Sequence, residues 1–167
     1  KSENKFKESF RFILPGYNLR PLELSGSVGS EQLKKLPSLI ENRRKNAVYF
    51  VEKFESQKHI IIQKELGESS WFGFSLIINC KGISRNDLID FLHNKNIEVR
   101  PIVSGNFLDK EVLKYYKISS DQKPLKNSKF VDENGFFVGN HHYDIKDKID
   151  YLFDSIKNYF KSQNISL

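Results

Sequence analysis

Two stretches, His59-Ile60-Ile61-Ile62-Gln63-Lys64 and Trp71-Phe72-Gly73-Phe74-Ser75-Leu76-Ile77-Ile78-Asn79, decide the fold. Upstream of them apolar residues recur with a helical period; within them the period becomes that of strands. A connection containing Gly67 joins them, so the pair reads as two strands separated by a loop. Alternation places Phe72 and Phe74 on one face and Gly73 on the other, and core packing is the plainest use of the two rings.

Toward the N-terminus, Pro21 opens a helix whose first turns, Leu22-Glu-Leu-Ser-Gly-Ser-Val-Gly-Ser, are unusual. Gly26 and Gly29 share a face, and each costs about 1 kcal/mol relative to Ala, so something is expected to pack against the backbone there. Pro37 restarts the helix. It then runs to about Glu55 with Ile40, Ala47, Val48, Val51 and Phe54 as its apolar stripe. Residues 1–15 read as loop or weak strand, with Phe10, Phe12 and Leu14 alternating before the Pro15-Gly16 turn.

Toward the C-terminus, Ser84 and Asp87 resemble a capping box opening a helix to Asn94, with Leu88, Phe91 and Leu92 inward. A short strand is expected over Ile97–Ile102 and another over Gly135–Gly139. Residues 103–134 read as irregular, with one helix near Asp109–Tyr116. Asp144 is expected to cap a last helix carrying Ile145, Ile149, Leu152, Phe153, Ile156 and Phe160 at helical spacing. The order is a helical arm followed by β-β-α-β-(α)-β-α. It predicts an α/β (α+β) fold with a small, mainly antiparallel sheet and helices on one face.

Composition narrows the function classes. With 167 residues, 38% of them hydrophobic, and 14 Phe and 7 Tyr, the chain can close a core. No apolar run approaches the ~20 residues that span a bilayer, and no signal peptide is legible, so a cytoplasmic setting without membrane contact is expected. Cys80 is a single thiol inside an apolar run; we expect it buried and inert, which leaves no internal disulfide and no Cys-rich metal site. The net charge of +6 suits a polyanionic partner, or simply a lysine-rich solvated surface. The sequence lacks Met altogether, and Lys1–Ser9 looks like a cut through a connecting segment, so we expect a piece of a larger protein.

Four clusters could carry chemistry. Gly16-Tyr17-Asn18-Leu19-Arg20-Pro21 stands before a helix start, which is either an anion site or a plain turn. The second is Ser70-Trp71-Phe72-Gly73-Phe74. The third, Arg100-Pro101-Ile102-Val103-Ser104-Gly105-Asn106, sets an Arg at a strand end beside a Gly loop. The fourth is Gly139-Asn140-His141-His142-Tyr143-Asp144, whose adjacent His residues would point apart on a strand; a hydrogen-bonding His near a ligand fits better than a metal site. No triad, P-loop or dinucleotide fingerprint is legible, so no catalytic residue is assigned.

The string Gly16–Glu23, the small-residue helix, and Gln32-Leu33-Lys34-Lys35-Leu36, together with SWFGF, RPIVSGN and NGFFVGNHH, resemble the DegT/DnrJ/EryC1/StrS sugar aminotransferase family. The likeness covers roughly residues 10–160, and the later strings are similar to its 3-dehydratase branch, tied to lipopolysaccharide biosynthesis. The resemblance implies the C-terminal part of a fold-type I pyridoxal-phosphate enzyme. Residues 1–20 would connect from a large domain, 21–57 would be linking helices, and 58–167 would be the small α/β domain. It implies a nucleotide-diphosphate sugar as substrate, a homodimer, and pyridoxal 5'-phosphate or pyridoxamine 5'-phosphate held mainly by upstream residues. Tyr17, Asn18 and Arg20 would lie at the cofactor, Asn18 at the neighbouring subunit's phosphate. Arg100, Ser104, Asn106, Asn140 and His141 would line the substrate side. The Lys or His that decides between aminotransferase and dehydratase would also lie upstream, leaving this piece inactive alone. A competing reading from the residues is a basic single-stranded nucleic-acid module, since Phe72-Gly73-Phe74 echoes the aromatic strand of RNA-binding folds. Against it, the strand lacks a preceding β-α-β unit and an Arg/Lys-Gly entry.

Overall fold

The computed structural model describes residues 5–8, 11–16, 22–117 and 125–167. Its centre is a three-stranded antiparallel sheet in the order β1 (Ile60–Ile62), β2 (Gly73–Ile78), β3 (Gly135–Gly139). Ile60 faces Ile78 across the first pair, and Phe74 and Leu76 face Val138 and Phe136 across the second. These residues form one face, on which α3 (Leu36–Phe54), α4 (Arg85–Asn94) and α6 (Lys146–Ser162) close the core. The expected antiparallel sheet with helices on one face is the fold observed.

The helices follow from their sequences. Pro37 sits in the first turn of α3, where a missing N–H costs nothing. Below it Ala47, Phe50 and Phe54 are buried, and the Phe50 ring stacks on Phe74 at 4.3 Å and on Phe54 at 4.7 Å. In α6 the predicted stripe is buried at Ile149, Leu152, Ile156 and Phe160. Ser84 caps α4 by accepting the Asp87 N–H at 3.3 Å.

Several expectations change. The strand over Ile97–Ile102 shrinks to a single bridge, Arg100 against Phe137, because the chain turns away at Pro101, which has no N–H to continue a ladder. The irregular stretch holds 3-10 turns at Phe107–Asp109 and Glu111–Tyr115 and a helix, α5 (Lys126–Asn134), that runs straight into β3. Position 145, not 144, is the N-cap of α6, although Asp144 still satisfies the Lys146 N–H at 3.0 Å. Among the described residues before Pro15 there is a short helix, α1 (Lys5–Glu8), and no strand. Val48 is exposed, while Phe50 and Asn46 lie inside; Cys80 is half-buried.

The arm α2 (Glu23–Leu33) buries no residue, and a Cβ built on Gly26 or Gly29 would meet nothing within 4 Å. Its apolar side chains Leu24, Val28 and Leu33 are exposed, so the packing expected at the two glycines is not supplied by the described residues.

The largest correction concerns Phe72. Trp71 has φ +50°, left-handed backbone that a bulky residue seldom adopts. That turn breaks the strand alternation at its start. Trp71 and Phe74 are 4% and 0% exposed, whereas Phe72 is 72% exposed. A paired aromatic platform of the RNA-binding kind is therefore not formed.

Candidate functional site

The edge of β3 brings the third and fourth clusters together. Arg100 exchanges backbone hydrogen bonds with Phe137 at 2.8 and 2.9 Å, and Asn140 follows β3 directly. Between them opens a cleft of about 210 Å³ lined by Arg43, Phe72, Glu98, Arg100, Phe137, Gly139 and Asn140. The structure thus brings Arg100 and Asn140 into one cleft. Ser104, Asn106 and His141 do not line it. Tyr17, Asn18 and Arg20 lie outside the described residues.

Arg100 is exposed and forks onto one oxygen of Glu98, Nη2 at 2.7 Å and Nε at 2.9 Å. At 55% and 75% side-chain exposure this pair is worth about 0–1 kcal/mol, so the guanidinium can exchange Glu98 for another anion at little cost. Arg43, which sequence reasoning missed, enters from α3. Its Nη2 donates to the carbonyls of Phe72 (3.1 Å) and Asn140 (3.4 Å), and its Nε is buried without a partner among the described residues.

Asn140 has no hydrogen-bonding capacity left for a ligand. Its amide nitrogen donates to the carbonyls of Arg43 and Trp71, both at 3.0 Å. Its oxygen accepts from Asn46 Nδ2 at 3.2 Å and from the His141 N–H at 2.8 Å. Asn46, 1% exposed, completes the strap: its amide nitrogen also reaches the carbonyls of His141 and Tyr143, and its oxygen takes the Ile145 N–H. An Asn inside an apolar helical stripe, next to Ala47, was the available signal for this pair.

His141 stands at the surface with its ring 4.0 Å from that of Tyr143, its Nδ1 accepting the His142 N–H. Desolvation, then the positive fields of His142, Arg43 and Lys148, hold its pKa below the ordinary imidazole value. Ser104 and Asn106 flank Gly105, which has φ +57°; a Cβ there would run into the Asp132 carboxylate. Asn106 is buried, its Nδ2 donating to Asp109 at 2.7 Å and its Oδ1 unpartnered among the described residues.

A second, open groove of about 890 Å³ lies between α3 and β1. Its apolar floor includes Val51, Ile62 and Trp71, but Glu52, Glu55, Glu65 and Glu68 outnumber Arg44 and Lys64 on its walls, which disfavours a phosphate-bearing cofactor. In the cleft beside β3 no lysine is present to hold an aldehyde. Neither of these two cavities has the lining of a pyridoxal-phosphate site. The described residues form no cluster of three or more His, Cys, Asp or Glu able to hold a metal, and none of their helices is long and apolar enough to cross a membrane.

Comparison with known proteins places the chain among relatives and solved structures. The GDP-4-keto-6-deoxy-D-mannose 3-dehydratase of Escherichia coli O55:H7 is 52% identical over 159 residues, 94% of this chain and 41% of that protein. The chain therefore spans about two fifths of the length of the relative it matches. A solved structure of the E. coli GDP-4-keto-6-deoxy-D-mannose 3-dehydratase with bound hydrated PLP superposes with a TM-score of 0.78 over 94% of this chain and 41% of that one. A variant of GDP-4-keto-6-deoxymannose 3-dehydratase with bound GDP-perosamine superposes equally, with TM-score 0.78, 52% identity and the same two coverages. The model of the DegT/DnrJ/EryC1/StrS aminotransferase family matches residues 1–157, and the chain belongs to that family.

Proposed function

We propose that this chain is the C-terminal part of a pyridoxal- or pyridoxamine-phosphate-dependent enzyme of nucleotide-linked sugars, a 3-dehydratase of a GDP-linked keto-deoxysugar that feeds surface polysaccharide synthesis in the cytoplasm. The observation that carries it is 52% identity over 94% of the chain, on a shared fold, to a dehydratase of that specificity. In this reading residues 1–20 connect from a large domain, 21–57 link, and 58–167 are the small domain. The enzyme is a homodimer, Tyr17, Asn18 and Arg20 lie at the cofactor, and Asn18 reaches the phosphate of cofactor bound by the other subunit.

The bound cofactor supplies an electron sink at the sugar carbon. The residues of this chain bind and orient. Arg100, released from Glu98, takes a diphosphate oxygen through its planar fork. The Asn46–Asn140 strap fixes the turn that carries His141, whose neutral ring, with Nδ1 accepting the His142 N–H, can donate one hydrogen bond from Nε2 to a sugar hydroxyl. Ser104 and Asn106 complete the substrate side from the Gly105 loop.

The test is turnover by the complete enzyme, loaded with pyridoxamine phosphate, of GDP-4-keto-6-deoxymannose. Mass spectrometry should show loss of the C3 hydroxyl. Amination at C4 with the C3 oxygen retained would assign it to the aminotransferases instead, and no reaction with any nucleotide sugar would defeat the reading.

A further inference from the structure

The cleft beside β3 contains a feature that diphosphate binding does not use. Phe72 protrudes into it at 72% exposure, although Trp71 before it and Gly73 after it are buried. This placement is built, not incidental. Trp71 is held in left-handed backbone, a strain that persists only where surroundings over-determine it. They do so here: Ser69 Oγ accepts the Trp71 N–H at 2.9 Å, Asn140 donates to the Trp71 carbonyl at 3.0 Å, and the indole is sealed in the core. The result is to turn the next side chain out of the sheet.

The ring so exposed is braced. Phe137 packs against it at 5.8 Å with the planes inclined by 48°, and the Arg43 guanidinium lies 6.0 Å from its centroid. Arg43 is itself fixed by its bonds to the Phe72 and Asn140 carbonyls and has no carboxylate partner among the described residues. Arg100 stands on the same cleft. An aromatic face, a braced guanidinium and a second, exchangeable guanidinium within one small cleft match one ligand chemistry: a flat π-system joined to phosphates.

We propose that Phe72, braced by Arg43, is the stacking platform for the base of the nucleoside diphosphate, with Arg100 serving its phosphates. This rests on the nucleotide-sugar reading and names the wall that receives the base. Stacking on a phenyl face tolerates any base, so Phe72 contributes affinity for the nucleoside end without selecting guanine.

The experiment compares Phe72→Ala, Phe72→Trp and Arg100→Ala in the complete enzyme, with GDP and pyrophosphate as competitive inhibitors. Phe72→Ala should raise KM and the GDP inhibition constant at least about tenfold, with kcat retained and pyrophosphate inhibition unmoved. Phe72→Trp should restore GDP binding. Unchanged GDP inhibition in Phe72→Ala, with Arg100→Ala still raising KM, would remove the base platform and leave the diphosphate pocket standing. If both variants are silent, the pocket itself is refuted. A Phe72→Ala enzyme that loses its oligomeric state or thermal stability instead would make Phe72 an interface residue and overturn the assignment.

Discussion

Replacing Asn46 by Ala tests whether the turn at Gly139–Tyr143 is held by the core or by a ligand. The substitution removes two N–H donors that serve Asn140 Oδ1 and the carbonyls of His141 and Tyr143, and an acceptor for the Ile145 N–H. The Ile145 bond is long, at 3.4 Å, so we give it little weight. Losing two good buried hydrogen bonds, each worth about 1 kcal/mol, and leaving at least one group orphaned at about 1–3 kcal/mol gives a cost of roughly 3–5 kcal/mol. For a chain of this size that is a fall in Tm on the order of 10 °C. Because Asn46 and Asn140 belong to one network, the Asn46→Ala/Asn140→Ala double variant should cost less than the sum of the singles by about 1 kcal/mol or more. Thermal and urea unfolding of the four proteins measures the cycle. An Asn46→Ala protein within about 0.5 kcal/mol of wild type, or strictly additive singles, would refute the strap. The Asn140→Ala protein of that cycle, with steady-state kinetics of the same variant in the complete enzyme, tests Asn140 as well: as a strut its loss lowers Tm, whereas a substrate contact would change KM alone.

Two further outcomes are expected. Arg100→Ala in the complete enzyme should raise KM for the nucleotide sugar at least about tenfold, or ~1.4 kcal/mol, and leave Tm nearly unchanged because its pair with Glu98 is exposed; steady-state kinetics beside a melting curve checks both. His141, whose pKa is depressed in the folded state, contributes stability that is present above the ordinary imidazole pKa near ~6.5 and lost as pH falls through its folded value. The NMR titration midpoint of its ring should therefore lie below that of an unstructured His, and His141→Gln should flatten the loss of stability as pH falls below about 6.5; a midpoint at or above ~6.5 would contradict the crowding of positive charge around it.

What the sequence disclosed was governed by periodicity. The stripe of α6 and the cap of α4 were legible because a long amphipathic helix repeats its message and Ser84 needs only local geometry. The short β3 was equally legible, bounded by glycines. The strand over Ile97–Ile102 was not, since one bridge at Arg100 is a tertiary event that propensity cannot foresee. The same holds for the site. Arg100 could be picked out by its loop, but Arg43 lies on α3, 57 positions earlier, and no spacing rule ties the two. Phe72 was assigned to the core by alternation that a single left-handed residue, Trp71, cancels.

These misreadings coincide in one place. Trp71, Phe72, Arg43 and Asn140 are the residues that local rules mishandled or overlooked, and direct hydrogen bonds or ring contacts link all four. A domain that only had to fold could keep regular alternation at the start of β2 and bury Phe72 where Trp71 now sits. Instead the chain accepts strained backbone, an exposed ring and a buried guanidinium nitrogen without a partner, and stabilises them with a fully satisfied amide pair beneath. Local inconsistency offset by an unusually complete network is the pattern expected where a surface is shaped for a ligand. It falls on the cleft that Arg100 also lines, and not on the larger, acidic groove between α3 and β1. Volume alone would have chosen the groove; the distribution of strain and charge chooses the cleft.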